Sequence, residues 1–311
     1  MRTDHNIRHV PHDEIDKTKW DECIKEARNG LIYGYSFYLD HMARHWDALV
    51  LNDYDAIMPL TWSKKFGIYY LYQPAFCACL GVFGQQRVLN DHMLGQFIQS
   101  IPKKFKLIEI SLNYGNLPGQ QLAHVFPATN YVLTLDKSYS DLYRGYRENH
   151  RRNIQKSIHE RNVVKINIPV NDVIDVSKQQ MHKIAPVAED DYERFRKLYQ
   201  LLLGEKQAAT YGVYSDRGEL LSSCVFFFSH NRAYYILVGN HRDSRTTGAS
   251  HALIDAFIKE HAGKGLILDF EGSDIESLAL FYNGFGAVVE NYPVVRWNRL
   301  PWWMRWTKTN F

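Results

Sequence analysis

Arg245-Thr-Thr-Gly248-Ala-Ser250, then Leu266-Ile-Leu-Asp269-Phe270-Glu271-Gly272-Ser273, then Leu280-Phe-Tyr282-Asn283-Gly-Phe-Gly286-Ala287: from residue 245 to 287 the chain reads turn, helix, strand, helix. Ala252, Leu253, Ala256 and Phe257 recur at helical spacing and carry a helix out of the first turn. A short apolar run, 266–270, is bounded by turn residues and suits a buried strand. A small-residue turn opening a helix offers unpaired backbone N–H groups and the positive end of the helix dipole to an anion. Gly248 allows close backbone approach, Thr247 and Ser250 are short donors, and Arg245 adds a fixed charge. The same residues also suit an amphipathic helix whose start merely follows turn chemistry.

Outward from this unit, strands are expected at 208–214, 220–229 and 233–238, the first two joined by the turn Ser215-Asp-Arg-Gly218-Glu219. A helix over 188–203 precedes them, and 163–168 reads as strand. Residues 138–161 read as one strongly basic helix, capped by Ser138 or Ser140 and carrying Arg144, Arg147, Arg151, Arg152, Lys156 and Arg161 on several faces. It is either a platform for phosphates or a solvated helix joining two domains. The first part of the chain gives helices at 12–29 and 33–46, strands at 48–62 and 67–73 around the turn 63–66, a helix at 90–101, and strands at 107–111 and 131–136. His41 and His45 lie four apart on the second helix with no acid between them, and read as ordinary helix residues. Order and spacing repeat: the helix 90–101 and strand 107–111 parallel the helix 248–261 and strand 265–270, an internal duplication.

At 311 residues the chain is long enough for two domains, and 45% hydrophobic with 23% charged residues is a globular composition. A net charge of +3 is not by itself a nucleic-acid signature. Cys23, Cys77, Cys79 and Cys224 lack metal or disulfide-framework spacing; Cys77 and Cys79 are expected on one face of a strand, as reduced core residues. No apolar leader or membrane span is apparent, which points to a cytoplasmic, soluble or at most peripheral protein. No metal is expected.

Arg245, Gly248 and Ser250 fill the Q/R-x-x-G-x-G/A loop of the GNAT acyltransferase superfamily, with Ser in the last position. Tyr282 preceding Gly286 by four residues resembles that superfamily's later motif. Asp269-Phe-Glu271-Gly-Ser273, together with 146–156, resembles the duplicated Fem-like branch, which includes aminoacyl-tRNA-dependent peptidoglycan bridge enzymes. The resemblance spans nearly the whole chain, with specific motifs in its second half. It implies two tandem GNAT-like α/β domains with mixed sheets: a degenerate one at 1–137, the basic connecting helix at 138–161, and a donor-binding one at 162–311. By the same resemblance the protein is an N-acyltransferase moving an acyl group from acyl-CoA, such as acetyl-CoA, to a small-molecule or peptide amine. Residues 245–250, with Ala249, would hold the pyrophosphate, Val238 would lie along the pantetheine arm, and Asn283 would orient the donor. Tyr282 would return a proton to the leaving thiolate, or is an aromatic packed on the sheet, and Glu271, with Asp269 beside it on one strand face, would serve as base or bind the amine. Both acids equally suit a helix cap or a buried salt link.

Two alternatives stay open: a tRNA donor bound on the helix of Arg144 to Arg161 with a cell-wall acceptor, or a fold that only binds an anionic ligand. The helical-hairpin arm of tRNA-dependent Fem enzymes has no counterpart here, and residues 82–89 lack the donor loop. No Ser or Cys sits in a nucleophile elbow, so attack would be direct. The segment from Arg296 to Trp306 mixes Trp with Arg and reads as a last strand or a peripheral membrane contact.

Overall fold

The structure is a computed structural model that describes residues 6–85, 92–118, 121–181, 187–272 and 275–302. The chain forms two compact units, one of residues 1–128 with 291–311, the other of residues 129–290.

In the first unit, β1 (Ile7–Val10), β2 (His45–Leu51), β3 (Ala56–Lys65), β4 (Ile68–Leu71) and β6 (Phe105–Ser111) follow one another across a sheet. The short β5 (Phe83–Gly84) pairs with β3, and residues 294–298 of the last strand pair with β6. Among the named strands of the described residues here, only β4 and β6 run parallel to each other. Helices α1 (Lys17–Glu26), α2 (Ser36–Met42) and α3 (Met93–Ser100) complete this unit. Asp16 caps α1 by accepting from the N–H groups of Thr18 and Lys19, each at 3.1 Å, so the helix begins five residues later than its apolar spacing suggests. Three expectations change here. The reading 48–62 is two strands, because residues 52–55 form a turn with Asn52 and Tyr54 at positive φ. His45 starts β2 and stacks on Trp62, while His41 Nδ1 donates to the Phe37 carbonyl within α2, so the two histidines do not share a helix. Cys77 and Cys79 lie in irregular chain rather than on a strand, and burial pushes the Cys77 thiol up.

The second unit contains β7 (Val125–Leu135, from residue 129), α4 (Tyr139–Arg144), α5 (Glu148–His159), β8 (Val163–Ile166), α6 (Val170–Met181), α7 (Glu189–Gly204), β9 (Ala208–Tyr214) and β10 (Leu220–Ser229). They are followed by β11 (Arg232–Asn240), α8 (Ser244–Thr247), α9 (Ala249–His261), β12 (Leu266–Asp269), α10 (Glu276–Asn283) and the start of β13 (Val288–Asn298). Its strands lie in the order β7-β12-β11-β10-β9-β8, and among the described residues only β11 and β12 are parallel. The β9–β10 turn closes where Ser215 Oγ accepts from Arg217 and Glu219 N–H and Gly218 takes a positive φ. His230 and Asn231, both left-handed, make the tight β10–β11 loop.

Both sheet faces are covered. Phe226 of β10 stacks on Phe257 of α9 at 3.9 Å, in a core shared with Tyr211, Leu253 and Ile154. On the other side Phe195 of α7 stacks on Phe227 at 5.4 Å. The helix α6, absent from the sequence reading, lies against β11 so closely that a Cβ at Gly239 would overlap the backbone of Val176 and Ser177. The basic segment is two helices, α4 capped by Ser138 and α5 starting after the extended Arg147, and it belongs to this unit rather than connecting two others.

Candidate active site where two parallel strands diverge

Strands β11 and β12 pair through only three positions, ending at Tyr234 opposite Asp269. Beyond them β11 continues to Asn240 against β10, past a register shift at Val225/Phe226. The chain leaving β12 turns away, with Glu271 at φ 62° and Gly272 at φ 85°. β11 thus outruns β12 at the carboxyl ends of two parallel strands, the place where α/β sheets gather their sites. Buried aromatic rings pack together there. Phe270 stacks on Tyr282 of α10 at 4.4 Å, and Tyr235 meets Phe270 edge-on at 6.1 Å. Burial first, and the Glu271 charge second, push the Tyr282 hydroxyl well above its usual range, so it keeps its proton. Desolvation likewise pushes the Glu271 carboxyl well up, which strengthens it as a proton acceptor.

Asp269 and Glu271 do not share a face as expected, because the left-handed Glu271 breaks the strand alternation. Asp269 is instead enclosed by donors: Arg232 Nη1 at 2.8 Å, Asn130 Nδ2 at 2.8 Å and the Glu271 N–H at 2.9 Å. Arg232 also grips Glu290 with both terminal nitrogens, at 2.9 and 2.6 Å. This buried Arg–carboxylate cluster holds the end of β12 and sets the turn that aims Glu271.

The turn 245–250 departs most from expectation. Residues 244–247 are a helical turn, α8, and Gly248 is at once its left-handed cap and the entry to α9. A Cβ on Gly248 would overlap the carbonyl oxygen of Asn153, so its missing side chain admits helix α5. Thr246 and Thr247 hydroxyls donate to the Asp243 carbonyl, at 2.8 and 3.1 Å, and Ser250 Oγ donates to Asn240 Oδ1 at 2.7 Å. Ala249 is buried. The side chain of Arg245 and all of Ser273 lie outside the described residues. With a carbonyl oxygen against the glycine and its hydroxyls bonded internally, the turn does not fit a pyrophosphate as the resemblance implies. Val238 stands half-buried in β11, paired with Cys224. Asn283 accepts from the Arg147 guanidinium and donates to the Ala287 carbonyl at 3.3 Å, tying α10 to the start of α5.

Where α5, α9 and α10 meet, His150 and His251 pack edge-to-face at 4.7 Å, and His150 Nε2 contacts the Phe281 carbonyl at 2.8 Å. Burial lowers both; His251 falls from 6.5 to about 4, with His150 a second cause. A histidine depressed in the folded state takes up protons more readily when unfolded, so the stability it protects is full above pH 6.5 and drains as pH falls toward about 4. Urea unfolding followed across that window should show a loss of about 3 kcal/mol for the native protein and a flatter profile for His251→Phe. Equal slopes would remove His251 from this account.

The sequence reading passed over Arg232, Asn130, Glu290, His150 and His251. Arg232 carried a signal, a charge opening an apolar strand, but His230-Asn231 beside it made it look like part of the turn.

No family model matches the chain, and no curated protein matches it either. Among solved structures it is similar to FemX at TM-score 0.62 and 12% identity, over 92% of this chain and 96% of that one. It is also similar to the C-terminal domain of a putative lysylphosphatidylglycerol synthetase from Agrobacterium fabrum, at 0.54 and 10% identity over 92% of each chain. L-PGS from Bacillus licheniformis is similar at 0.52 and 12% identity, over 94% of each. At these identities the likeness is one of fold, and the chain has the GNAT/Fem-like fold.

Proposed function

We propose that this chain is a transferase that moves an activated acyl or aminoacyl group onto an amine by direct attack. The observation that supports the reading is the end of β12 beside the longer β11, with Tyr282 held protonated and the proton affinity of the nearby Glu271 carboxyl raised by burial. An acceptor amine attacking the donor carbonyl forms the new N–C bond while Glu271 takes its proton. The bond to the leaving atom breaks, and Tyr282 supplies the proton that atom needs. The donor's carrier is a separate question. Acyl-CoA has the sequence of the turn in its favour, whereas the folded turn favours an aminoacyl-tRNA, because α5 covers Gly248 and presents Arg152 and Lys156 outward. The order of two antiparallel strand pairings, a helix and a parallel strand occurs in both units, which supports a duplicated GNAT-like ancestry.

The donor test is binding. Bulk tRNA should bind with an affinity that falls steeply with salt, and Arg152→Gln/Lys156→Gln/Arg161→Gln should lower the slope of log K against log salt by about 2. Acetyl-CoA should leave the melting temperature unchanged. A rise with acetyl-CoA and no tRNA binding would restore the acyl-CoA donor. For the chemistry, Tyr282→Phe should keep donor affinity and lose about 10²–10⁴-fold in single-turnover rate. Donor binding with no transfer by the native protein would leave the third reading, a fold that only binds.

A further inference from the structure

The β3–β4 hairpin ends in Lys64-Lys65-Phe66-Gly67. Strand β2 pairs with β3 only as far as Trp62, and the first β6 pairing on β4 is at Tyr69. Between these limits the two hairpin strands pair with no other strand among the described residues. Phe66 is 88% exposed, more than the other large apolar side chains among the described residues. It also occupies a left-handed position, φ 49°, followed by Gly67 at φ 81°. Two-residue loops of this kind favour Asn, Asp or Gly first, and a bulky ring there strains the backbone. The fold therefore carries a strained, solvated phenylalanine that contributes nothing to its own core. A backbone outlier of this sort points to use elsewhere.

The surroundings say what kind of use. Lys64 and Lys65 flank the ring, with Lys64 Nζ 4.8 Å above Tyr69 and Lys65 Nζ 5.8 Å from Phe66. At the hairpin's base, Lys104 is ion-paired with Asp47 at 3.1 Å, while Lys103 and Lys106 are exposed beside it. No Asp or Glu occurs between Asp55 and Asp91. One projecting ring offers far less than the ~800 Å² that each side of a stable protein interface buries. A lipid headgroup layer needs no such area: it takes an aromatic ring at interfacial depth and pairs its phosphates with adjacent lysines.

We propose that the hairpin tip, Lys64 to Gly67, is a docking point for an anionic lipid surface, with Phe66 entering the interface and Lys64 and Lys65 on the phosphates. The inference is independent of the transfer chemistry above. The full chain should cosediment at low salt with vesicles of equal phosphatidylcholine and phosphatidylglycerol, and not with phosphatidylcholine alone. Phe66→Ser should weaken that binding about tenfold, and Lys64→Glu/Lys65→Glu by at least the roughly fivefold per lysine expected from lost attraction. Phe66→Trp should retain it. Melting temperatures should match the native protein in all three variants. The proposal is overturned if the native chain ignores anionic vesicles, if it binds both vesicle types alike, or if both losing variants bind as tightly as native. It is equally overturned if Phe66→Ser abolishes a concentration-dependent self-association in sedimentation while leaving vesicle binding intact.

Discussion

Gly248→Val should destabilise the second unit by about 2–5 kcal/mol and lower its melting transition by roughly 5–15 °C. Two separate costs combine. The left-handed φ of 72° disfavours any Cβ, at about 1–2 kcal/mol. The added atoms also meet the Asn153 carbonyl, which is helix backbone and cannot rotate aside as a side chain would. Gly263 is an internal control, since it has φ 76° and nothing within 4 Å of its virtual Cβ. Gly263→Val should therefore show the conformational cost alone. If thermal unfolding gave the two variants the same loss, the close approach of α5 to α9 would not be what Gly248 is for.

Arg232→Met should cost about 3–5 kcal/mol, because it removes the cation and leaves two carboxylates behind. Arg232 is 4% exposed and Asp269 6%, so water cannot replace the guanidinium without opening the sheet. Adding Asp269→Asn should return part of the loss, since an amide oxygen can still accept from Asn130 and the Glu271 N–H. Urea denaturation of the single and double variants checks this. A loss below about 1 kcal/mol for Arg232→Met would mean that the cluster is not held as described. Because the Asp269 carboxylate also accepts from the Glu271 N–H, the same variant should disturb the turn of Glu271 before it unfolds the unit.

Local chemistry was readable wherever it was local. The turn of Ser215 and Gly218 announces the β9–β10 hairpin, and the alternation of 208–214 and 220–229 gives strands with those same bounds. The acidic first turn of α7 marks a helix start by its dipole. What escaped reading depended on distant partners or on backbone signs that no residue type declares. Val170, Val173, Ile174 and Val176 give α6 the look of a strand, and only Gly239 on another element lets it lie flat as a helix. The break at Gly145 to Arg147 separates two stretches that each continue the same charge pattern. Gly248 was read as space for a ligand, and its true neighbour, Asn153, lies on another helix. Glu271 was legible as a candidate, but its left-handed turn and the Arg232 anchor behind it were not.

The division of the chain gives the two units different histories on the ribosome. Residues 129–290 are continuous, so the second unit holds all its strands as soon as Glu290 has emerged. The first unit begins earlier and finishes later, since β6, paired with β4 on one side, gains its second neighbour only when residues 294–298 arrive. Throughout synthesis of the intervening residues, β6 presents an unpaired edge of the kind that recruits foreign strands. Nascent first unit should thus be the protein's chaperone-dependent half, although its residues are made first.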